Sequence, residues 1–168
     1  VRESIPRCHV ERRADMTRII LVRHGHVEGI KPERFRGRLD LPLSDLGERQ
    51  AEATGRRIAS EWRPEAVYAS PLGRCLATAQ KIAGACGVLV EPVLDLIDID
   101  YGAWQGLYTE TVLSQWPAEA GQWYEAPHFA RIPGGETLQA VLARVARVFN
   151  DTIDRHPEKT CVLVAHDS

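Results

Sequence analysis

Two histidines have both the side chain and the position that catalysis needs. His24 lies in an Arg-His-Gly tripeptide directly after the apolar run 19–22, and His166 directly follows the apolar run 161–165. Imidazole acts as a nucleophile or as an acid–base group near neutral pH. Open α/β sheets bind ligands beyond the carboxyl ends of their strands. We therefore expect both rings to face one pocket.

Two arginines predict that this pocket binds phosphate. Arg23 directly precedes His24, and Arg74 ends the segment Ser-Pro-Leu-Gly-Arg at the start of a predicted helix. The amides of a helix N-terminus attract anions and disfavour a cation unless an anion lies between them. The arginines, the histidines and the helix end together are typical of a phosphate cradle.

The elements that must position these residues alternate along the chain. Short apolar segments rich in β-branched residues are followed by segments with helical spacing, which is typical of a mainly parallel sheet with helices on both faces. We predict an α/β three-layer sandwich whose first strand is central and buried. The predicted strands are 17–22, 66–69, 88–93 and 160–165, and the predicted helices are 44–63, 72–86 and 136–155.

Composition excludes several classes of protein. The chain has 168 residues, of which 44% are hydrophobic and 26% charged, so we expect one folded domain. A net charge of -2 gives no field for nucleic acid or anionic membranes, and no apolar run is long enough to cross a bilayer. The four cysteines lack metal or redox spacing, which predicts reduced thiols and a cytoplasmic location.

The domain organisation is predicted from where the pattern begins and ends. Residues 1–15 lack an apolar stretch and are expected to be a dispensable extension, and residues 16–168 are expected to form the domain. Residues 107–135, rich in Trp and Pro, are expected to form a small lid over the sheet. A βα architecture normally continues after a last strand, so we expect the C-terminal part to lie beyond Ser168 and a longer form to be more stable.

Five stretches in a fixed order resemble those of a known family. They read Leu-Val-Arg-His-Gly at 21–25, a long stretch at 37–51, Ser-Pro-Leu-Gly-Arg at 70–74, Tyr-Gly-Ala-Trp-Gln-Gly at 101–106, and Pro-Gly-Gly-Glu-Thr at 133–137. The chain from about residue 18 onward thus resembles the histidine phosphatase superfamily, in its phosphoglycerate mutase-like branch. One stretch alone is weak evidence, whereas the ordered set is specific.

The resemblance implies a phosphomonoester hydrolase that works through a phosphohistidine. His24 would be the nucleophile, Arg23, Arg74 and His166 would surround the transferring phosphoryl group, and His166 would also act in catalysis. The general acid would be Asp98, where the family usually has Glu. Neither a metal nor a cofactor is implied, and the expected partner is a small phosphorylated substrate of a monomer or homodimer.

Several departures and alternatives stay open at this point. Asp100 competes with Asp98 for the acid role. Arg36 replaces a glutamine common in the family, and it could contact the phosphate or a second acidic group on the substrate. For the basic loop residues Lys31, Arg34, Arg36 and Arg38, two interpretations stay open: a solvated loop face, or a loop from which one residue reaches the substrate. The aromatic residues that we expect to pack in the core and the lid are Trp104, Trp116, Trp123 and Tyr124.

Other functions fit the same residues. A short lid between residues 106 and 133 favours a phosphatase over a mutase, because a mutase must shield its intermediate from water. A binding module without catalysis would keep the cradle but lose proton donation by Asp98. A metal-dependent hydrolase would instead use His24, His26 and His166, with no supporting motif.

Overall fold

A computed structural model describes residues 16–28 and 32–167. Within them, four parallel strands form one sheet in the order β1-β4-β2-β3. The strands are β1 (Arg18–Arg23), β2 (Ala66–Ala69), β3 (Val90–Pro92) and β4 (Thr160–Ala165). The helices are α1 (Asp45–Glu61), α2 (Gly73–Cys86), α3 (Thr109–Gln115), α4 (Pro117–Glu125) and α5 (Leu138–Arg155). The extension of residues 1–15, Lys31 and Ser168 lie outside the described residues.

Local sequence signals set the ends of the two helices nearest the site. Ser44 caps α1 by accepting a hydrogen bond from the Gly47 amide, and two acidic residues stand in the first turn. Gly87 ends α2 in the left-handed conformation, with φ of 72°. Both ends lie where the sequence predicts them.

Helices cover both faces of the sheet, which confirms the three-layer α/β prediction. Helices α1 and α2 pack on one face and α5 packs on the other. The first core includes Ile58, Ala69, Cys75, Ile82, Val162 and Val164, and the second includes Tyr68, Leu96, Val148 and Leu163. The sheet thus holds the strand ends rigidly between two apolar layers.

Two strand predictions are wrong in detail. Among the described strands, β1 pairs only with β4 and lies at an edge, where Leu21 is 65% exposed. A continuous apolar run predicts a buried strand but does not say which strands flank it. Strand β3 is Val90–Pro92, shorter than the predicted 88–93, because its pairing with β2 covers only three residues.

The segment 107–135 contains α3, α4 and a 3-10 turn at Pro127–Phe129. It shares an aromatic core with Phe35 and residues 99–104, in which Trp104 is fully buried and Trp123 partly buried, as predicted. Tyr124 lies in α4 of this segment and is 55% exposed, so it does not pack in the core. None of the described helices is long and apolar enough to span a membrane.

Candidate active site

The carboxyl ends of β1 and β4 bring the two predicted histidines together. Arg23 pairs with Ala165 in the parallel register, so His24 and His166 are the next residues of neighbouring strands. Their ring centroids are 5.3 Å apart, with the planes tilted by 59°. A cavity of about 330 Å³ opens above His24, and Arg23, Arg34, Arg36, Arg74 and Asp98 lie in its wall.

The His24 ring is held in one tautomer. Its Nδ1 lies 2.7 Å from the carbonyl oxygen of Gly25. A carbonyl only accepts hydrogen bonds, so Nδ1 carries the proton and Nε2 keeps its lone pair. Burial, followed by the charges of Arg74 and Arg23, lowers the pKa of His24 to about 4, although the hydrogen bond to Gly25 opposes this shift. His24 is therefore a neutral imidazole at physiological pH, with Nε2 available as a nucleophile.

His166 lies behind His24 and outside the wall of that cavity. Its Nε2 is 2.9 Å from the Ser70 hydroxyl, and its Nδ1 is 3.2 Å from the Arg74 guanidinium. Since a guanidinium only donates, Nδ1 accepts and Nε2 donates to Ser70. Burial, followed by the charge of Arg74, lowers the pKa of His166 to about 3. His166 is thus a second neutral imidazole, whose orientation depends on Ser70 and Arg74.

Arg74 is almost completely buried and engaged on every side. Its guanidinium donates to the carbonyl oxygens of Gly37 and Leu39, at 2.8 and 2.7 Å, and to an Asp98 carboxylate oxygen at 3.0 Å. Carboxylates are therefore already present beside the α2 N-terminus, since Asp40 accepts from the Gly73 amide at 2.8 Å and Asp98 pairs with the Arg74 side chain. Arg74 ties the loop after β1 to the carboxylate that the resemblance assigns as general acid.

The two candidate acids differ in position. Asp98 is 7% exposed and lies in the cavity wall, where one oxygen bonds Arg74 and is 3.4 Å from Nδ1 of His166. Asp100 lies outside that wall, because its carboxylate accepts from the Gly102 amide and from Arg38. Of these two candidate acids, only Asp98 shares the cavity wall with His24.

Comparisons with known proteins agree with this arrangement. Residues 19–168 match the family described as the histidine phosphatase superfamily (branch 1). Phosphoserine phosphatase 1 of Hydrogenobacter thermophilus is 36% identical over 151 residues, which cover 90% of this chain and 71% of that protein. The chain belongs to the histidine phosphatase superfamily. The predictions of this family, of its fold and of a phosphatase-type enzyme are confirmed.

Further members of the superfamily show the range of relatives. The metal-independent phosphoserine phosphatase of Arabidopsis thaliana is 31% identical, and the match covers 91% of this chain and 65% of that protein. The solved structure of a mycobacterial glucosyl-3-phosphoglycerate phosphatase superposes with a TM-score of 0.80 at 29% identity, covering 88% of this chain and 73% of that one. A probable phosphoglycerate mutase of Cronobacter sakazakii is 32% identical, covering 90% of this chain and 70% of that protein.

The superfamily's Arg-His-Gly turn is packed too tightly here for any residue larger than glycine at position 25. A Cβ on Gly25 would lie 2.5 Å from the carbonyl oxygen of Gly47 in α1. The Gly25 amide donates to the Thr78 hydroxyl at 3.0 Å, and Thr78 donates to the Arg74 carbonyl at 2.8 Å. Helices α1 and α2 thus fix the carbonyl that sets the His24 tautomer.

Sequence reasoning missed the residues that support this histidine phosphatase site. Arg38, expected on a solvated face, binds Asp100 and Glu136 and also donates to the Asp98 carbonyl. Arg144 holds Glu136 from α5. Glu136 falls in the matched stretch 133–137, which was the available signal for a role. Thr78 and Ser70 had no signal beyond their place in or near the matched stretch 70–74.

The described residues provide no set of ligands for the metal-dependent alternative. His26 lies away from the cavity wall, with its Nδ1 2.7 Å from the Ser44 hydroxyl at the start of α1. In residues 16–28 and 32–167, no group of three His, Cys, Asp or Glu side chains could hold a metal ion. His26 therefore serves the packing of the turn against α1.

Proposed function

We propose that this chain hydrolyses phosphomonoesters by transferring the phosphoryl group to Nε2 of His24 and then to water. The observation that carries the proposal is the 2.7 Å contact between Nδ1 and the Gly25 carbonyl, which leaves the Nε2 lone pair free. Burial of the ring strengthens the case, because it lowers the pKa of His24 to about 4 and so keeps the imidazole neutral at physiological pH. A neutral, fixed imidazole needs no separate base to attack phosphorus.

In the first step, Nε2 of His24 forms a bond to phosphorus while the bond to the ester oxygen breaks. When the substrate displaces it from Arg74, the Asp98 carboxylate takes up a proton from solvent, and it then gives that proton to the leaving alkoxide. The phosphoryl oxygens displace Asp98 from Arg74, so the acid turns toward the leaving group as the phosphoryl group gains the guanidinium. Arg23, which lies in the cavity wall and pairs with Asp167 at 3.1 Å, binds the same group.

In the second step, water attacks the phosphohistidine. The Asp98 carboxylate takes a proton from that water, the bond between nitrogen and phosphorus breaks, and inorganic phosphate leaves with His24 restored to neutrality. His166, neutral and hydrogen-bonded to Ser70 and Arg74, keeps the Arg74 guanidinium in place through both steps. The cycle balances without a metal or a cofactor.

The expected substrate is a small phosphorylated molecule. The printed names of the relatives, phosphoserine phosphatase and glucosyl-3-phosphoglycerate phosphatase, support this class. A cavity of about 330 Å³ suits a phosphate with a few further atoms. A cytoplasmic location, the domain bounds, a lack of nucleic-acid partners and a monomer or homodimer stay predictions from the sequence.

Phosphate release from an aryl phosphate, measured with excess chelator, tests the proposal. We expect turnover by the unmodified protein and a loss of at least about 1,000-fold in His24→Ala, as for other nucleophile deletions. His128→Ala removes an exposed histidine from the 3-10 turn of the lid and should keep full turnover. Turnover that needs a metal, or that survives in His24→Ala, overturns the proposal, and binding of phosphate without turnover supports the binding-module alternative.

The reaction product distinguishes a phosphatase from a mutase. A phosphatase releases inorganic phosphate from phosphoglycerate, whereas a mutase returns the phosphoryl group to another hydroxyl of the same substrate. We expect release of phosphate with no isomer formed, because the lid is built from two short helices and a single turn.

A further inference from the structure

Three arginines of the loop between β1 and α1 differ in how their charge is balanced. Arg38 binds Asp100 at 3.1 Å and Glu136 at 3.0 Å, so two carboxylates compensate its charge. No ion pair within residues 16–28 and 32–167 involves Arg34 or Arg36. Among the described arginines of this loop, Arg38 is thus ion-paired and the other two are not, although Glu33 also lies in the cavity wall.

Arg34 and Arg36 both lie in the wall of the cavity above His24. The Arg34 guanidinium stacks 4.6 Å from the centre of the Tyr108 ring and donates to the Tyr108 hydroxyl at 2.8 Å. Arg36 is half-buried. In each, Nε is buried without a hydrogen-bond partner in the described part of the chain. Each guanidinium thus keeps at least one buried N–H group without a partner among the described residues, although Arg34 also bonds Tyr108.

The segment that carries these arginines is fixed. Phe35 stands between them, is 7% exposed and packs in the core of the lid. Its amide and carbonyl pair with Leu107 and Gly106 of the lid. Because successive side chains of an extended segment alternate, Arg34 and Arg36 emerge on the side opposite to Phe35. The fixed backbone at Phe35 therefore keeps both arginines in the cavity wall.

A cation without an ion-pair partner in a cavity wall is unfavourable in free energy, and a bound anion offsets this. Burying part of a guanidinium without a counterion is unfavourable, and buried polar groups without partners are uncommon in native proteins. The phosphoryl group already has Arg23 and Arg74 at the strand ends. A planar guanidinium matches a carboxylate or a phosphate through paired hydrogen bonds.

We propose that Arg36, supported by Arg34, binds a second anionic group of the substrate. The substrate class is then a small phosphomonoester that carries a carboxylate or a second phosphate a few bonds from the ester. This inference rests on the proposed function and extends it from the phosphoryl group to the rest of the substrate. Arg36 determines specificity and takes no part in breaking the ester bond.

Matched substrates test the inference. O-phospho-L-serine and O-phosphoethanolamine differ only by the carboxylate, and ethane-1,2-diol bisphosphate supplies a second phosphate. We expect kcat/KM for phosphoserine, or for the bisphosphate, to exceed that for phosphoethanolamine by about tenfold or more. In Arg36→Gln this ratio should fall about tenfold, Arg36→Lys should retain part of it, and the exposed helix variant Arg56→Gln should retain all of it.

The outcomes separate the inference from the proposed function. No phosphate release from any of these substrates or from an aryl phosphate overturns the proposed function. Release without a preference for the second anion, or an equal loss for all substrates in Arg36→Gln, overturns the inference alone. Preference for the bisphosphate identifies a second phosphate, and preference for phosphoserine identifies a carboxylate. An unchanged thermal midpoint of Arg36→Gln shows that its fold is intact.

Discussion

The two sides of the cavity above His24 differ in whether their arginines are paired with acceptors of the protein. On the strand-end side, the buried Arg74 is matched by Asp98 and by carbonyl oxygens, and the two histidines are neutral. On the loop side, Arg34 and Arg36 form no ion pair with any carboxylate of the described residues, and the Nε atom of each is buried without a partner. The first side is complete without substrate and built for the reaction, whereas the second side is completed by the substrate.

This difference has an energetic meaning. A buried pair such as Arg74 and Asp98 offsets the desolvation of each charge, so loss of one partner leaves the other unpaired in a low-dielectric surrounding. An unpaired cation at a cavity wall contributes nothing comparable to stability. Removal of a charge on the strand-end side should therefore lower both stability and activity. Removal of a charge on the loop side should change the choice of substrate.

The largest expected effect is on stability. Arg74→Met removes the partner of Asp98, whose side chain is 8% exposed, and should lower the free energy of unfolding by about 3–5 kcal/mol. Arg36→Met removes a charge that has no ion-pair partner and should not lower the free energy of unfolding. Denaturant unfolding of both variants checks this. Equal losses would remove the distinction between the two sides.

A second prediction concerns the turn that holds His24. Thr78→Val leaves the buried Gly25 amide without an acceptor and should cost about 1–3 kcal/mol, with a fall in kcat. Thr152 in α5 is equally buried and makes the same bond to the carbonyl four residues earlier, but it accepts from no backbone amide of the site. Thr152→Val should therefore keep kcat. A comparable fall in kcat for Thr152→Val would show that the effect is not specific to the turn.

The smallest expected effect is the pH dependence of stability. Burial depresses the pKa of His24 to about 4 and of His166 to about 3, below the usual 6.5. Between pH 6.5 and 4 the unfolded state binds more protons than the folded state, so stability falls as the pH falls. His24→Asn should make this fall shallower in unfolding curves at pH 7, 6 and 5. An unchanged slope would mean that His24 is not buried as a neutral ring.

Much of the fold and of the site could be predicted because the signals are local. Ser44 caps α1, Gly87 ends α2, and His24 and His166 each follow an apolar segment, so the strand-end geometry follows from parallel pairing. The family resemblance added Asp98, which no local pattern marks. The edge position of β1 could not be predicted, since strand order depends on contacts distant in sequence.

Which arginines of the loop form ion pairs could also not be predicted from the sequence. Arg34, Arg36 and Arg38 alternate in one short basic segment, and nothing in it says that Arg38 turns toward Asp100 and Glu136 while Arg36 faces the cavity. The partners of Arg38 lie about 60 to 100 residues further along the chain. Long-range packing decides which of several similar cations becomes structural.

Trapping the phosphoenzyme tests the central claim most directly. The protein would be mixed with a labelled aryl phosphate in chelator, quenched in base, where phosphohistidine survives, and digested for mass spectrometry. We predict one phosphoryl group, attached to Nε2 of His24 and absent from His24→Ala. A phosphoryl group on another residue, or full turnover with no phosphohistidine at any time, would contradict the account.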